Sequence, residues 1–307
     1  MESRVLITGA SGFVGRAIVK ELVAQDVAAI LALDRLPFDF ADHRVTFSQA
    51  NLLNKDELTK DIGIFKPTSV IHLAAIASPV YGNVAELYDI NVHGSENLLD
   101  VLRDTCSKGT RVILTSTAGV YGNSGKEFIT EDTPYNPQNH YSFSKMVMEY
   151  MSKAYQDALD IKIVRPFNMI GAGQNETFLV PKLVQAFVTK QPTLAVGNMQ
   201  TYRDFVDVDF AAKIFCRAAL TDKMDGNYLN ICAGKATSGQ DIVSTLTELT
   251  GYTPEIQINP KFIRKNEIMR LVGDPTKCNR LCNNDFHTKT LRKILADMVS
   301  QYSHSRQ

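Results

Sequence analysis

The first half of the chain alternates short, almost continuously apolar runs with longer stretches of helical periodicity. The apolar runs cover residues 4–8, 28–34, 69–75, 111–116 and 161–166, with a shorter one at 44–50. The helical stretches cover residues 13–25, 55–65, 84–107 and 141–159. Strands that are apolar along both faces are typical of a parallel sheet with helices on both sides. The alternation therefore predicts an α/β fold built on a doubly wound parallel sheet.

A glycine-rich turn, TGASGFVG, joins the first predicted strand to the first predicted helix and places Gly9, Gly12 and Gly15 there. In this context glycine lets the backbone approach a pyrophosphate, and the helix N-terminus offers unpaired N–H groups and positive potential. Asp34 ends the second strand, where a carboxylate can bind an adenosine ribose and repel a 2′-phosphate. The pattern predicts a Rossmann-type dinucleotide site that prefers NAD, and Arg35 leaves NADP possible.

The pattern changes after Pro166, where a second glycine-rich loop precedes a helix predicted to follow Pro181. Ser238 and Gly251 read as the cap and the stop of a later helix. We predict a dinucleotide-binding domain formed by residues 1–166 and 205–234. We predict a smaller α/β substrate-binding domain formed by residues 167–204 and 235–307.

The composition excludes several classes of partner. Lys and Arg together number 33, as do Asp and Glu, so no surplus of one sign favours nucleic acid or an anionic membrane.

An odd number of cysteines, five, and the lack of a signal-peptide or membrane-spanning pattern predict a cytoplasmic protein. Cys278 and Cys282 have helical spacing but lack two further ligands nearby, so we expect no metal site.

Five ordered motifs resemble those of the extended short-chain dehydrogenases/reductases, which include sugar-nucleotide epimerases, dehydratases and reductases. The motifs are TGASGFVG (8–15), HLAA (72–75), TSTAGVYG (115–122), YSFSK (141–145) and RPFNMIG (165–171). The resemblance implies a homodimer, commonly through the helix that contains Asn91. It also implies cofactor contacts at Gly9, Ser11, Gly12, Phe13, Val14, Gly15, Asp34, Arg35, Asn51, Leu52, Leu73, Ala74, Ala75, Asn91, Thr115, Tyr141, Lys145 and Pro166.

The same resemblance implies a catalytic set of Thr117, Tyr141 and Lys145. Tyr141 would be the acid or base, Lys145 would tune it and bind the nicotinamide ribose, and Thr117 would orient the substrate oxygen. A helix brings positions four apart onto one face, so the Tyr141 phenol and the Lys145 ammonium can meet. A neighbouring ammonium favours the phenolate of a tyrosine, whose ordinary pKa is about 10.

The absence of two acidic residues narrows the range of reactions that the chain could catalyse. Dehydratases of this family carry an Asp–Glu pair just after the catalytic threonine, where this chain has Ala118 and Gly119. Hydride transfer at one carbon remains, as in a 4-ketoreductase or in a 4-epimerase that retains its NAD. A catalytically silent NAD sensor is a third reading, which the intact Thr117, Tyr141 and Lys145 set disfavours.

The second half of the chain looks most like GDP-4-keto-6-deoxy-mannose reductases, notably in the run IRKNEIMRLVGDPTK. One arginine guanidinium can bind two phosphate oxygens at once. A few arginines can therefore hold a diphosphate even in a protein that has no net positive charge. We expect substrate contacts at Thr117, Asn168, Lys182, Arg203, Arg264 and Glu267. The predicted reaction is reduction of the 4-keto group of a nucleotide-linked, GDP-type 4-keto-6-deoxyhexose, with NDP-sugar 4-epimerisation as the alternative.

Overall fold

The computed structural model of the protein describes residues 2–78, 81–263, 266–283 and 285–304. The strands, in chain order, are β1 (Arg4–Thr8), β2 (Ala29–Asp34), β3 (Val45–Gln49), β4 (Ser69–His72), β5 (Thr110–Thr115), β6 (Leu159–Pro166), β7 (Asn168–Ile170), β8 (Thr193–Val196), β9 (Tyr202–Arg203), β10 (Phe205–Asp207), β11 (Tyr228–Ile231), β12 (Thr237–Ser238), β13 (Glu255–Ile258) and β14 (Arg270–Leu271). The helices are α1 (Phe13–Ala24), α2 (Lys55–Phe65), α3 (Val84–Tyr88), α4 (Gly94–Thr105), α5 (His140–Ser152), α6 (Leu179–Val188), α7 (Val208–Leu220), α8 (Gly239–Thr250), α9 (Thr276–Cys282) and α10 (Leu291–His304). Within these described ranges, none of the helices combines the length and the apolar character that a bilayer crossing requires.

Seven parallel strands form the main sheet, in the order β3-β2-β1-β4-β5-β6-β11. The sheet is covered on both faces, because the side chains that alternate along one strand enter two different apolar clusters. Val5 and Ile7 enter one apolar cluster, and Leu6 enters the other. The predicted doubly wound sheet is therefore confirmed. Chain order reverses between β1 and β4, which opens a crevice at the carboxyl ends of these strands.

The chain returns to the main sheet after leaving it at Pro166. Helix α7 packs against α1, and β11 pairs with β6 in parallel. The remaining segments build three small sheets, β7–β10, β12–β9–β14 and β8–β13. A third apolar cluster, which includes residues of α6, α8 and α10, forms the core of this second lobe. The exact division of the chain into two domains stays a prediction.

Several predicted boundaries were wrong by a few residues. The stretch 84–107 is α3 and α4 joined by one wider π-type turn, Asp89–His93, rather than one regular helix. Helix α5 ends at Ser152, and a 3₁₀ turn follows, so the helix does not reach residue 159. Helix α6 begins before Pro181, because proline is tolerated in a first turn, where N–H groups have no intrahelical partner. Helix α8 has the predicted ends, with a capping box at Ser238 and a left-handed Gly251.

Candidate active site

The glycine turn between β1 and α1 is packed against neighbouring backbone. Gly9 has a positive φ of 73°, and a Cβ there would lie 2.7 Å from the backbone nitrogen of Ala74. A Cβ on Gly15 would lie 2.2 Å from the carbonyl oxygen of Gly9. Within the described part of the chain, α1 has Gly12 as its N-cap and no side-chain cap. Its first-turn N–H groups are therefore available to an anion, as a dinucleotide site requires.

Asp34 lies at the end of β2, beside this turn. Its carboxylate accepts hydrogen bonds from the backbone N–H of Ser11 at 3.0 Å and of Leu36 at 2.9 Å. These contacts fix the carboxylate next to the glycine turn. Arg35 follows and is exposed to solvent.

The next predicted cofactor residues lie in the segments that follow β3 and β4. The side-chain oxygen of Asn51 accepts from the backbone N–H of Leu53 at 3.1 Å, and Leu52 is buried in the core. Ala74 donates its N–H to the hydroxyl of Thr8 at 3.3 Å, between the half-buried Leu73 and Ala75. Leu52 thus presents its side chain to the core, so a cofactor contact there would have to come from the backbone.

Thr115 and Asn91 lie deeper. The buried hydroxyl of Thr115, at the end of β5, has no hydrogen-bond partner among the residues that the structure describes. Asn91 lies in the π-type turn, where its amide accepts from Ile76 N–H at 2.8 Å and donates to Ser144 Oγ at 3.0 Å. The Ser144 hydroxyl in turn donates to the carbonyl of Tyr141. Asn91 therefore ties the loop after β4 to α5.

Thr117 and Tyr141 meet between β5 and α5. Thr117 precedes the 3₁₀ turn Ala118–Tyr121, and its Oγ1 accepts from Gly119 N–H at 3.0 Å. Thr117 lies within hydrogen-bonding reach of the Tyr141 hydroxyl, an interaction that lowers the pKa of Tyr141. Lys145 lies one helical turn beyond Tyr141 and is only 2% exposed. The structure thus brings together the three residues that the sequence predicts as the catalytic set.

Burial sets the protonation of this group. It raises the pKa of Tyr141 to about 12, although the hydrogen bond with Thr117 acts in the opposite direction. It also lowers the pKa of Lys145 to about 8, against the attraction of Glu149. Burial, with a smaller effect from Lys145, lowers the pKa of His72 to about 3, so that imidazole is neutral. At neutral pH the site therefore holds a phenol that can donate a proton and an ammonium beside it.

A cavity of about 510 Å³ opens beside Tyr141, within the usual size range for small-molecule sites. Of the sequence-predicted residues, its lining includes Thr117, Tyr141, Pro166, Asn168, Arg203 and Glu267. The lining also includes Gln138, Asn139, Ser142 and Asn266, which were not predicted, because no local pattern distinguishes a polar side chain in a cavity from one on the surface. A Cβ on Gly119 would lie 2.5 Å from Ser142 Oγ, so this wall has no room for a carboxylate side chain without rearrangement.

The charged residues that are predicted to contact the substrate lie in different parts of the structure. Arg203 lines the cavity, and its guanidinium donates to the Tyr202 carbonyl at 2.9 Å. The Glu267 carboxylate accepts from the amide of Asn198 at 2.8 Å. Lys182 donates instead to the Ala195 carbonyl at 2.8 Å, inside the second lobe. Arg264 lies outside the described residues.

A family model provides the deciding comparison. The model of the NAD dependent epimerase/dehydratase family matches residues 5–232, well over half of the chain. The chain belongs to this family. The resemblance to extended short-chain dehydrogenases/reductases is confirmed, and NAD is the family's cofactor. NAD fits the observed site, which offers the glycine turn, the N-terminus of α1 without a side-chain cap, and the unpartnered Thr115 hydroxyl.

Three relatives illustrate where this family member stands. It is 33% identical over 295 residues to a GDP-6-deoxy-D-talose 4-dehydrogenase of Aggregatibacter actinomycetemcomitans, with 96% of each chain covered. It is 29% identical over 315 residues to a GDP-6-deoxy-D-mannose reductase of Pseudomonas aeruginosa, covering 98% of this chain and 99% of the relative. A Thermus thermophilus UDP-glucose 4-epimerase, solved in complex with NAD, superposes with a TM-score of 0.83 at 25% identity, covering 98% and 99% of the two chains.

Proposed function

We propose that the protein uses NADH to reduce the 4-keto group of a GDP-linked 4-keto-6-deoxyhexose. The observation that carries the proposal is that Thr117 and Tyr141 together line the wall of the cavity. The two relatives named for GDP-6-deoxyhexoses support a hexose of this class. Ala118 and Gly119, where dehydratases carry acid and base, argue against elimination.

The residues of the site suit a ketone reduction. Thr117 orients the carbonyl oxygen by a hydrogen bond, and Tyr141 donates its phenolic proton to that oxygen. Reduced NAD, which the glycine turn and the N-terminus of α1 would hold, would supply the hydride to C4. Lys145 stabilises the tyrosinate that remains, because an ammonium one turn away lowers the cost of the negative charge. A phenol whose pKa burial raises to about 12 is fully protonated at neutral pH and can serve as this donor.

Substrate binding is proposed from the cavity wall. Arg203 would bind the diphosphate, since a guanidinium matches pairs of phosphate oxygens. Asn168 would contact the sugar–phosphate end, and Glu267, oriented by Asn198, would contact the nucleotide. Arg264 is proposed as a second phosphate ligand on its sequence position alone. Lys182 is the weaker candidate, because its ammonium already donates to the Ala195 carbonyl.

A 4-epimerase is the second candidate, because it needs the same three catalytic residues. The similarity to the Thermus thermophilus epimerase supports it. Such an enzyme would retain NAD⁺ and return the hydride to the opposite face of the sugar, so purified protein would carry the oxidised cofactor.

The direct test follows absorbance at 340 nm with purified protein, NADH or NADPH, and GDP-4-keto-6-deoxymannose. We expect stoichiometric oxidation of NADH, which Tyr141→Phe should abolish. Tyr252→Phe is the matched control, because that hydroxyl donates to the Gln191 carbonyl in the second lobe. A lack of oxidation with either cofactor would reject the reductase for this substrate. Bound NAD⁺ together with C4 inversion of UDP- or GDP-sugars would then indicate the epimerase.

A homodimer is proposed from the exposed face of α5. Phe143, Val147 and Tyr150 recur one turn apart there and are 40%, 38% and 51% exposed. Pairing this face with a second copy would cover the apolar stripe. Sedimentation should give a dimer for the natural protein and a monomer for Val147→Glu.

A cytoplasmic location is also proposed, because five free thiols suit a reducing compartment.

A further inference from the structure

A buried carboxylate lies behind the catalytic residues. Glu149, on α5, is fully buried. Its Oε1 accepts from Arg165 Nε at 3.0 Å and from the Ser116 hydroxyl. Its Oε2 accepts from an Arg165 terminal nitrogen at 2.6 Å and from the Tyr135 hydroxyl at 2.7 Å. Both oxygens are therefore fully used, as a buried ionised carboxylate requires.

These contacts join the elements that carry the catalytic groups. Ser116 is the residue before Thr117 at the end of β5, and Arg165 is the residue before the cavity-lining Pro166 in β6. Glu149 itself lies one helical turn after Lys145 on α5. One carboxylate thus fixes the strand that presents Thr117 relative to the helix that presents the lysine.

Lys145 and Glu149 are both buried and lie four positions apart on α5, so their side chains share one face of the helix. His72, from β4, is neutral, and Tyr141 on α5 is a phenol. Glu149 attracts the Lys145 ammonium, whereas burial opposes it. Arg165, from β6, donates to both oxygens of this carboxylate, and it also donates to the Tyr121 hydroxyl at 2.8 Å. Without Glu149, a lysine this buried would lose its proton at lower pH.

We propose that Glu149 is a positioning residue that keeps Lys145 an ammonium at neutral pH and aligns Thr117 with Tyr141. The role rests on the proposed function, in which this ammonium stabilises the tyrosinate. A purely structural ion pair with Arg165 would hold the elements together without affecting the protonation of Lys145. The two readings therefore differ in the pH at which Lys145 titrates.

The test is a carbon-13 NMR titration of the full chain, with lysine labelled at Cε and the Lys145 signal assigned from Lys145→Met. In Glu149→Gln we expect the proton dissociation constant of Lys145 to rise about tenfold or more, since a nearby opposite charge moves a pKa by about one unit or more. Glu149→Asp should restore most of the original value. Glu96→Gln, which removes a half-exposed carboxylate on α4, is the control for lost charge and should leave the titration unchanged.

Tyr135→Phe is the control for a lost hydrogen bond, because Glu149 keeps its charge there, and it should also leave Lys145 unchanged. If Glu149→Gln does not fold because Arg165 is left unpaired, the double variant with Arg165→Gln takes its place. The constant should rise there too, but by less, because a cation is lost together with the anion. Lys145 titrating at its natural pH in either neutral variant would overturn the proposal.

The pH–rate profile connects this titration to turnover. In Glu149→Gln the alkaline limb of kcat/KM should move to lower pH, together with the Lys145 titration. An unmoved limb beside a shifted Lys145 would overturn the catalytic part of the proposal. Because the NMR titration needs no substrate, failure of the proposed reductase activity would be recognised separately.

Discussion

Replacing Lys145 by methionine should stabilise the fold while removing activity. The side chain is 2% exposed, and burial lowers the pKa of Lys145 from its ordinary value of 10.5 to about 8. Each pKa unit corresponds to about 1.4 kcal/mol, so burying the ammonium costs the folded state about 3 kcal/mol at pH 7. Methionine has a similar length and no charge, and Glu149 keeps its partner Arg165 in the variant.

The pH dependence follows from the same difference. Between pH 8 and 10.5 the unfolded chain binds the Lys145 proton more tightly than the folded chain, so natural stability rises with pH in that window. The advantage of Lys145→Met should therefore be full below pH 8 and should fade as pH approaches 10.5. Other groups that titrate at alkaline pH are present in both the natural protein and Lys145→Met, so their effects on the free energy of unfolding cancel in the comparison.

Urea unfolding at pH 7 and at pH 10 measures both effects, with activity recorded on the same samples. Lys153→Met, at an exposed position just after α5, is the matched control and should change the free energy of unfolding by less than about 0.5 kcal/mol. Lower stability of Lys145→Met at pH 7, or a gain that does not shrink at high pH, would refute the reasoning.

Three further changes test the cofactor turn and the cavity. Gly15→Ala places a Cβ 2.2 Å from a backbone oxygen, so NAD affinity measured by calorimetry should fall tenfold or more, whereas Gly63→Ala, with no atom within 4 Å, should leave it unchanged. Asp34→Ala removes the carboxylate that we expect to repel a 2′-phosphate, so the ratio of kcat/KM for NADPH to that for NADH should rise about tenfold; an unchanged ratio would assign the preference elsewhere. Asn123 donates to the Glu267 carbonyl and accepts from the Met269 N–H, both at 3.0 Å, and so holds part of the cavity wall. Asn123→Ala should raise KM about tenfold with kcat within about twofold, and the opposite split would contradict that role.

The glycine turn illustrates what a sequence predicts well. Gly9, Gly12 and Gly15 act within a single strand–turn–helix unit, so their spacing alone indicates the local geometry. The motif order adds Thr117, Tyr141 and Lys145, which the fold then brings together. Each of these signals is carried by neighbours along the chain or by a fixed helical spacing.

Other features depend on contacts between distant parts of the chain. No sequence pattern singles out Glu149, yet it is fully buried and is paired with Arg165, sixteen positions later. The sequence predicts Asn91 as a cofactor contact, which stays a prediction, but it does not indicate the hydrogen bonds of its amide with Ile76 and Ser144. Such partners are set by tertiary packing, which periodicity and composition do not encode.

The most direct test of the central claim follows the hydride itself. NADH deuterated on the transferred face is supplied with GDP-4-keto-6-deoxymannose, and the product is analysed by NMR and mass spectrometry. The account predicts one deuterium at C4 of the hexose for each NAD⁺ released, and no transfer with Tyr141→Phe. Product without deuterium at C4, or full conversion without net NADH oxidation, would contradict it.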